Sequence, residues 1–323
     1  MECWDPDGWF NVRQAKILVC LCTFVVSCDG PTAATGNEGV ALSPNRTHVH
    51  NVDTGEVDPL VMPYPWVQHW KGHLPPVISL KQRFPTPKGF VRLPLKSGSY
   101  AHWLRELPIR TDRTAVLDYE GEPLVRPCAA IVLLDVGEDD LQQCADSAIR
   151  LHAEYLWHRG MAHKAAYHFT SGDRSTWSDW KQGERFLVAG PVVARFQGPD
   201  RSDDHATYRQ WLSHLFRYAG TKSLAHDTVA VAERPFEPGD IFVAPGGPGH
   251  AVVVLDIAER SDGRKVALMG QGFMPAEDFH VLRDPGRQTV EDVWFILHDG
   301  TGAVETPSWR GFARVEARRF YQP

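Results

Sequence analysis

Three side chains in this sequence have the types and order that nucleophilic catalysis needs: the Cys144 thiol, the His250 imidazole and the Gln271 amide. A cysteine becomes a nucleophile when unpaired N–H groups at a helix start and a nearby imidazole help it lose its proton. Cys144 stands near the start of a helix-forming stretch, and His250 stands where the Gly/Pro-rich loop 245–249 gives way to an apolar run. If the following turn centres on Asp262 and Gly263, pairing residue 256 with 265 sets Gln271 directly opposite His250, where its amide would fix the ring tautomer. The chemistry implied is attack of sulfur on a carbonyl, with His250 moving the proton and Gln271 orienting the ring. No metal or organic cofactor is expected for it.

A plainer reading of the same residues is structural. Cys144 shares a helical face with Ala148, Leu151 and Tyr155, and with Asp139 as the cap it would lie in the second turn, where the dipole fades. Cys144 is then a small core hydrophobe, His250 a satisfied structural histidine and Gln271 its cross-strand neighbour. Cys128, beside Pro127 and ahead of an apolar run, reads as core packing in either case.

The elements that must position these groups follow from periodicity. Residues 129–134 form a continuous apolar run, a buried strand. Asp139 and Asp140 then offer a cap for a helix carrying Ala145, Ala148, Leu151, Tyr155 and Leu156 and stopping at Gly160. Apolar residues at 100, 103, 104 and 107 predict a short amphipathic helix capped by Ser97 or Ser99 and ended by Pro108. Another helix is expected over 208–219, whereas 177–190 mixes aromatic and polar residues without a clear period. Three short apolar runs, 240–244, 250–256 and 265–271, are separated by turn residues and predict an antiparallel meander. Helices followed by a meander give an α+β fold.

Several function classes are excluded. The net charge is −6 and no Lys/Arg-rich run occurs, so a nucleic-acid partner is not expected. The stretch Gly246-Gly247-Pro248-Gly249 lacks the Lys-Ser/Thr of a phosphate-binding loop, and neither a His-Glu-x-x-His nor a Gly-x-Ser-x-Gly sequence is present. His48 and His50 have no further ligands near them in sequence and do not make a metal site.

The N-terminal region speaks to location. Residues 17–26 form a ten-residue apolar run behind Arg13 and Lys16, too short to span a bilayer but right for a secretory core, although Glu2, Asp5 and Asp7 make the extreme start acidic. The run ends in Val25-Val26-Ser27-Cys28, which resembles the bacterial lipobox. That resemblance implies cleavage before Cys28, a lipid on its sulfur, and an exported protein anchored to a membrane of the cell envelope. The expected organisation is a signal segment over 1–28, a tether and Pro-rich lead-in over 29–84 packing on the surface in extended form, and an α+β domain over 85–323.

Two family resemblances follow. Glu237-Pro238-Gly239-Asp240-Ile241-Phe242-Val243 and Gly249-His250-Ala251-Val252-Val253-Val254 resemble the strands of the NlpC/P60 papain-like hydrolases. In that family a helix-borne Cys precedes a strand-borne His and a polar residue on the adjacent strand, the order of Cys144, His250 and Gln271. The resemblance implies an envelope amidase or endopeptidase acting on cell-wall peptides. The chain departs from it where Gln143-Cys144-Ala145-Asp146 replaces Asp-Cys-Ser-Gly, and in a long insertion before His250. A second resemblance covers more of the chain: residues 100–108, 139–146, 150–156, 169–172, 180–183, 218–221 and 270–276 are similar to the bacterial domain of unknown function 4846 (DUF4846). It implies a family without implying an activity.

A second class of function rests on the 11 Trp residues. Trp177 and Trp180 sit among Asp173, Arg174, Ser178 and Asp179, as sugar-stacking platforms do, which would make the protein a non-catalytic lipoprotein binding glycan or peptidoglycan. The alternative is that both simply fill the core.

Overall fold

The strand that begins at His250 organises the molecule, because its side chains alternate between two apolar cores. Ala251, Val253 and Leu255 face the larger core, while Val252 and Val254 face the smaller one. In the computed structural model the described residues are 64–190, 192–231, 233–284, 293–297, 302–307 and 309–321. All of them lie in the compact unit Gly55–Pro323. Cys28, the sequences read as signal and lipobox, and His48 and His50 lie outside the described residues.

Among the described residues nine strands make one sheet: β1 (Phe90–Arg92), β2 (Cys128–Ile131), β3 (Thr228–Ala230), β4 (Ile241–Ala244), β5 (His250–Arg260), β6 (Lys265–Gln271), β7 (His280–Leu282), β8 (Phe295–Leu297) and β9 (Ala317–Phe320). The order is β3-β9-β4-β5-β6-β7-β2, with β1 joining β5 and β8 joining β6, and every pairing is antiparallel. Around it lie α1 (Leu80–Arg83), α2 (Tyr100–Arg105), α3 (Cys144–His158), α4 (Trp177–Lys181), α5 (His205–Phe216) and α6 (Thr221–His226). The chain is thus a mixed helix-and-sheet fold built on an antiparallel sheet. α3 lies on the larger-core side, where Ala145, Ala148 and Leu151 join Ala251 and Val253. The small side chains let helix and sheet approach closely.

Three expectations need correction. The lead-in does not merely coat the surface in extended form: Tyr64, Trp66, Leu80 and Phe84 are core residues, and Trp66 Nε1 donates to Leu133 O at 2.7 Å. The folded unit therefore includes residues upstream of the boundary expected at 85. The long helix starts at Cys144, with Gln143 as cap, and not at Asp139. A capping box accounts for this, since Gln143 N–H donates to Asp146 Oδ2 at 3.2 Å. Asp140 serves the tertiary fold instead, its Oδ1 accepting from Ala276 N–H at 2.6 Å.

The hairpin register is the third correction. Lys265 pairs with Glu259, Leu268 with Asp256 and Gly270 with Val253, with a bulge between Val254 and Asp256. One step further Gln271 falls opposite Val252, so His250 is its diagonal neighbour on the same face. The bulge accompanies a fully buried carboxylate: Asp256 accepts from Arg92 Nε at 2.6 Å and Arg105 Nε at 2.8 Å.

For Trp177 and Trp180 the core-filling reading holds. They are 1% and 8% exposed, and Trp177 packs edge-on against Tyr208 and Trp157, so neither offers a face to a sugar.

Candidate functional site

Cys144 is the first residue of α3, where the helix N–H groups have no partner within the helix. The backbone amides of Ala251, Ala145 and Cys144 itself favour the thiolate. This nest of amides is what a thiolate, or an oxyanion beside it, would use. The sulfur nevertheless sits in a tight place. Burial is the dominant influence and pushes the Cys144 thiol up to about 11, with the amides pulling the other way.

A buried ion network fixes this helix start. Arg150, fully buried, donates to Gln142 Oε1 at 2.8 Å, to Asp135 Oδ1 at 2.7 Å and to Glu154 Oε1 at 2.7 Å. His205 Nε2 lies 2.8 Å from the other oxygen of Glu154, which ties in α5. Every charge in the chain Asp135, Arg150, Glu154 has an opposite neighbour, as buried charges require. Gln142, two residues ahead of the sulfur, is therefore held rigidly.

His250 opens β5 and Gln271 closes β6. Both are sealed, at 1% and 0% exposed, and His250 Nε2 donates to Gln271 Oε1 at 2.8 Å. That bond assigns the proton to Nε2 and leaves the lone pair on Nδ1. Burial holds the imidazole down to about 4 while the Gln271 bond opposes it, so the ring is neutral at physiological pH. Around the ring stand Phe273, Trp309 and Phe312, with centroids at 4.9, 5.2 and 6.2 Å.

The three residues read from sequence are thus brought together in part. His250 and Gln271 are bonded directly. α3 reaches the residues that follow each of them: Ser147 and Gln143 press on Gly272, and the Ala251 amide favours the Cys144 thiolate. Among the described residues no hydrogen bond joins Cys144 to His250. Cys144 belongs to the larger core, whereas the His250 ring contacts Phe312 of the smaller one.

An open cleft of about 400 Å³ connects Cys144 to solvent. Its walls come from Asp140 and Gln143 on one side, Arg217 and Thr221 on another, and the loop 246–249 that leads into His250. Thr221 closes that loop from below, its hydroxyl bridging Gly246 O at 3.3 Å and Gly246 N–H at 3.2 Å. Met274, 47% exposed, forms part of the rim. Phe273, Gly272 and Thr221 were not singled out by sequence reasoning. The available signal was Gly272-Phe273-Met274 directly after Gln271, since residues flanking a buried side chain share its surroundings.

Cys128 opens β2, is half-buried, and has its thiol pushed up to about 12, chiefly by burial. Both described cysteines are unpaired. Among the described residues no cluster of His, Cys, Asp or Glu is arranged to hold a metal ion, and no helix is long and apolar enough to cross a membrane.

A helix-leading cysteine at the foot of a cleft, one wall of which is the loop running into the His250–Gln271 pair, marks a candidate thiol site. The chain itself belongs to the family described as Domain of unknown function (4846), whose model matches residues 80–319 and so takes in every residue of the cleft. No curated protein and no solved structure matches it.

Proposed function

We propose that this protein is a papain-like cysteine hydrolase of the NlpC/P60 kind, an amidase or endopeptidase that cleaves peptidoglycan-type peptides from a lipid anchor at Cys28 in the cell envelope. The observation that supports the reading is a helix-leading cysteine in an open cleft, one wall of which is the loop running into the strand that carries the His250–Gln271 bond. With Nε2 committed to Gln271, the proton traffic falls to Nδ1 of His250.

The buried site rests as a neutral thiol and a neutral imidazole, so proton transfer accompanies attack. In this mechanism Cys144 Sγ bonds to the substrate carbonyl carbon as its proton passes to His250, which requires Nδ1 of the ring to reach the cleft from the smaller-core face of β5, and the oxyanion that forms is met by helix-start N–H groups. The imidazolium then protonates the leaving amine, the C–N bond breaks, and a thioester remains on Cys144. Water, deprotonated by His250, hydrolyses the thioester and restores the thiol.

The experiment is digestion of purified peptidoglycan by the full chain, with fragments identified by mass spectrometry. Wild type should release peptide fragments, and Cys144→Ala and His250→Ala should release none. Equal cleavage by Cys144→Ala would refute the mechanism.

A second reading is a non-catalytic envelope lipoprotein that holds a wall peptide or glycan in the same cleft. The missing hydrogen bond between Cys144 and His250 favours it. It predicts wall binding by wild type and Cys144→Ala alike, without cleavage.

A further inference from the structure

The loop that leaves β6 is held by an arginine that stands just before β2. Arg126 Nε donates to Glu277 Oε2 at 2.7 Å, its Nη2 donates to Met274 O at 3.0 Å, and its guanidinium carbon lies 5.1 Å from the centre of the Phe273 ring. Phe273 in turn meets the His250 ring edge to face at 4.9 Å, and Met274 stands on the rim of the Cys144 cleft. Glu277 is fully buried and Arg126 largely so, which makes the pair a fixed anchor. The other end of the loop is tied through Ala276 N–H to Asp140, itself a cleft residue. One guanidinium therefore touches both the residue that covers the imidazole and the residue that borders the thiol.

We propose that Arg126 is a positioning residue for the candidate site: by stacking on Phe273 and bonding Met274, it holds an aromatic cover on the His250–Gln271 pair and fixes the cleft rim. Its role in catalysis rests on the hydrolase reading, but its hold on the imidazole does not. A planar guanidinium suits this task because it can stack on a ring face while its N–H groups bond in plane. The ionisable groups near His250 are His280, paired with Gln271 across β6 and β7, and the Arg126–Glu277 pair. His280 Nδ1 lies 3.1 Å from Asp278 O, so that ring is held by backbone.

The test is a ring-nitrogen NMR titration of the histidines in the full chain, with the His250 signals assigned by their loss in His250→Gln. Wild-type His250 should titrate near 4 with the proton on Nε2. In Arg126→Ala the cover loosens and water reaches the ring, and the midpoint should rise by about one pH unit or more toward the ordinary 6.5. Arg126→Lys keeps the charge but loses the stacking plane, and should show a smaller rise, which keeps the test open if Arg126→Ala does not fold. An unchanged His250 midpoint and tautomer in a folded Arg126 variant would overturn the proposal. Peptidoglycan digestion is scored separately. Absent cleavage by wild type removes the hydrolase reading, and the titration still decides whether Arg126 positions His250.

Discussion

Replacing Gly272 by alanine probes the contact on which the site's assembly depends. A Cβ added there would lie 2.5 Å from Ser147 Oγ, and 3.4 Å from both Ser147 Cβ and Gln143 O. The first distance is a clash, and the others are tight. Ser147 is fully buried, so its hydroxyl has little room, and its hydrogen bond to Gln142 O is long at 3.5 Å. Overpacking of this kind costs about 1–3 kcal/mol. For a folded unit of this size each kcal/mol lowers Tm by roughly 2–4 °C. Removing the hydroxyl should relieve most of the strain, so Gly272→Ala with Ser147→Ala should regain about 1 kcal/mol or more relative to Gly272→Ala alone. The assay is a double-mutant cycle by thermal and denaturant unfolding of the four proteins. A Gly272→Ala protein as stable as wild type, or a double variant no better than the single, would show that α3 does not press on the end of β6 as described.

Other outcomes follow from the same geometry. Gln271→Leu should leave the His250 Nε2–H sealed without an acceptor and cost about 1–3 kcal/mol, measurable by urea unfolding. Asp256→Asn should cost more, about 3–5 kcal/mol, because Arg92 and Arg105 lose a shared buried carboxylate, and a change under 1 kcal/mol would count against that anchor. Trp177→Ala should cost about 3–5 kcal/mol through a core cavity, with any wall binding by still-folded protein unchanged. For Cys144 the raised thiol pKa means that thiolate is scarce at neutral pH, so alkylation by iodoacetamide in the native protein should climb about tenfold per pH unit from 7 to 10. A plateau reached by pH 7 would instead indicate a preformed thiolate–imidazolium pair.

Much of the framework was legible because it depends on residue type and spacing. The Pro/Gly loop ahead of His250, the β-branched run after it and the turn at Asp262-Gly263 located β5 and β6, and Ser99 caps α2 by accepting from His102 N–H. What escaped depends on tertiary partners. Asp139 and Asp140 have the chemistry of a cap, yet Asp140 bonds Ala276 across 136 residues, and the helix begins later at the Gln143–Asp146 box. The register was offset because the turn pairs Lys265 with Glu259, and the bulge at Leu255 adjoins Asp256, whose arginine partners on β1 and α2 are far away in sequence. Trp66 looked exposed beside prolines, but its indole fills the core, which local polarity does not reveal. The Arg126 clamp had no sequence signal at all, since its three partners lie about 150 residues away.

The central claim, that Cys144 attacks and His250 takes its proton, is tested most directly by covalent trapping. A peptide chloromethyl ketone or vinyl sulfone built on a wall-peptide sequence should label the native full chain once, at Cys144 and not at Cys128, by peptide mass mapping. Labelling should fall at least tenfold in His250→Ala. Labelling that is absent, falls on Cys128, or proceeds equally fast without the imidazole would contradict the account.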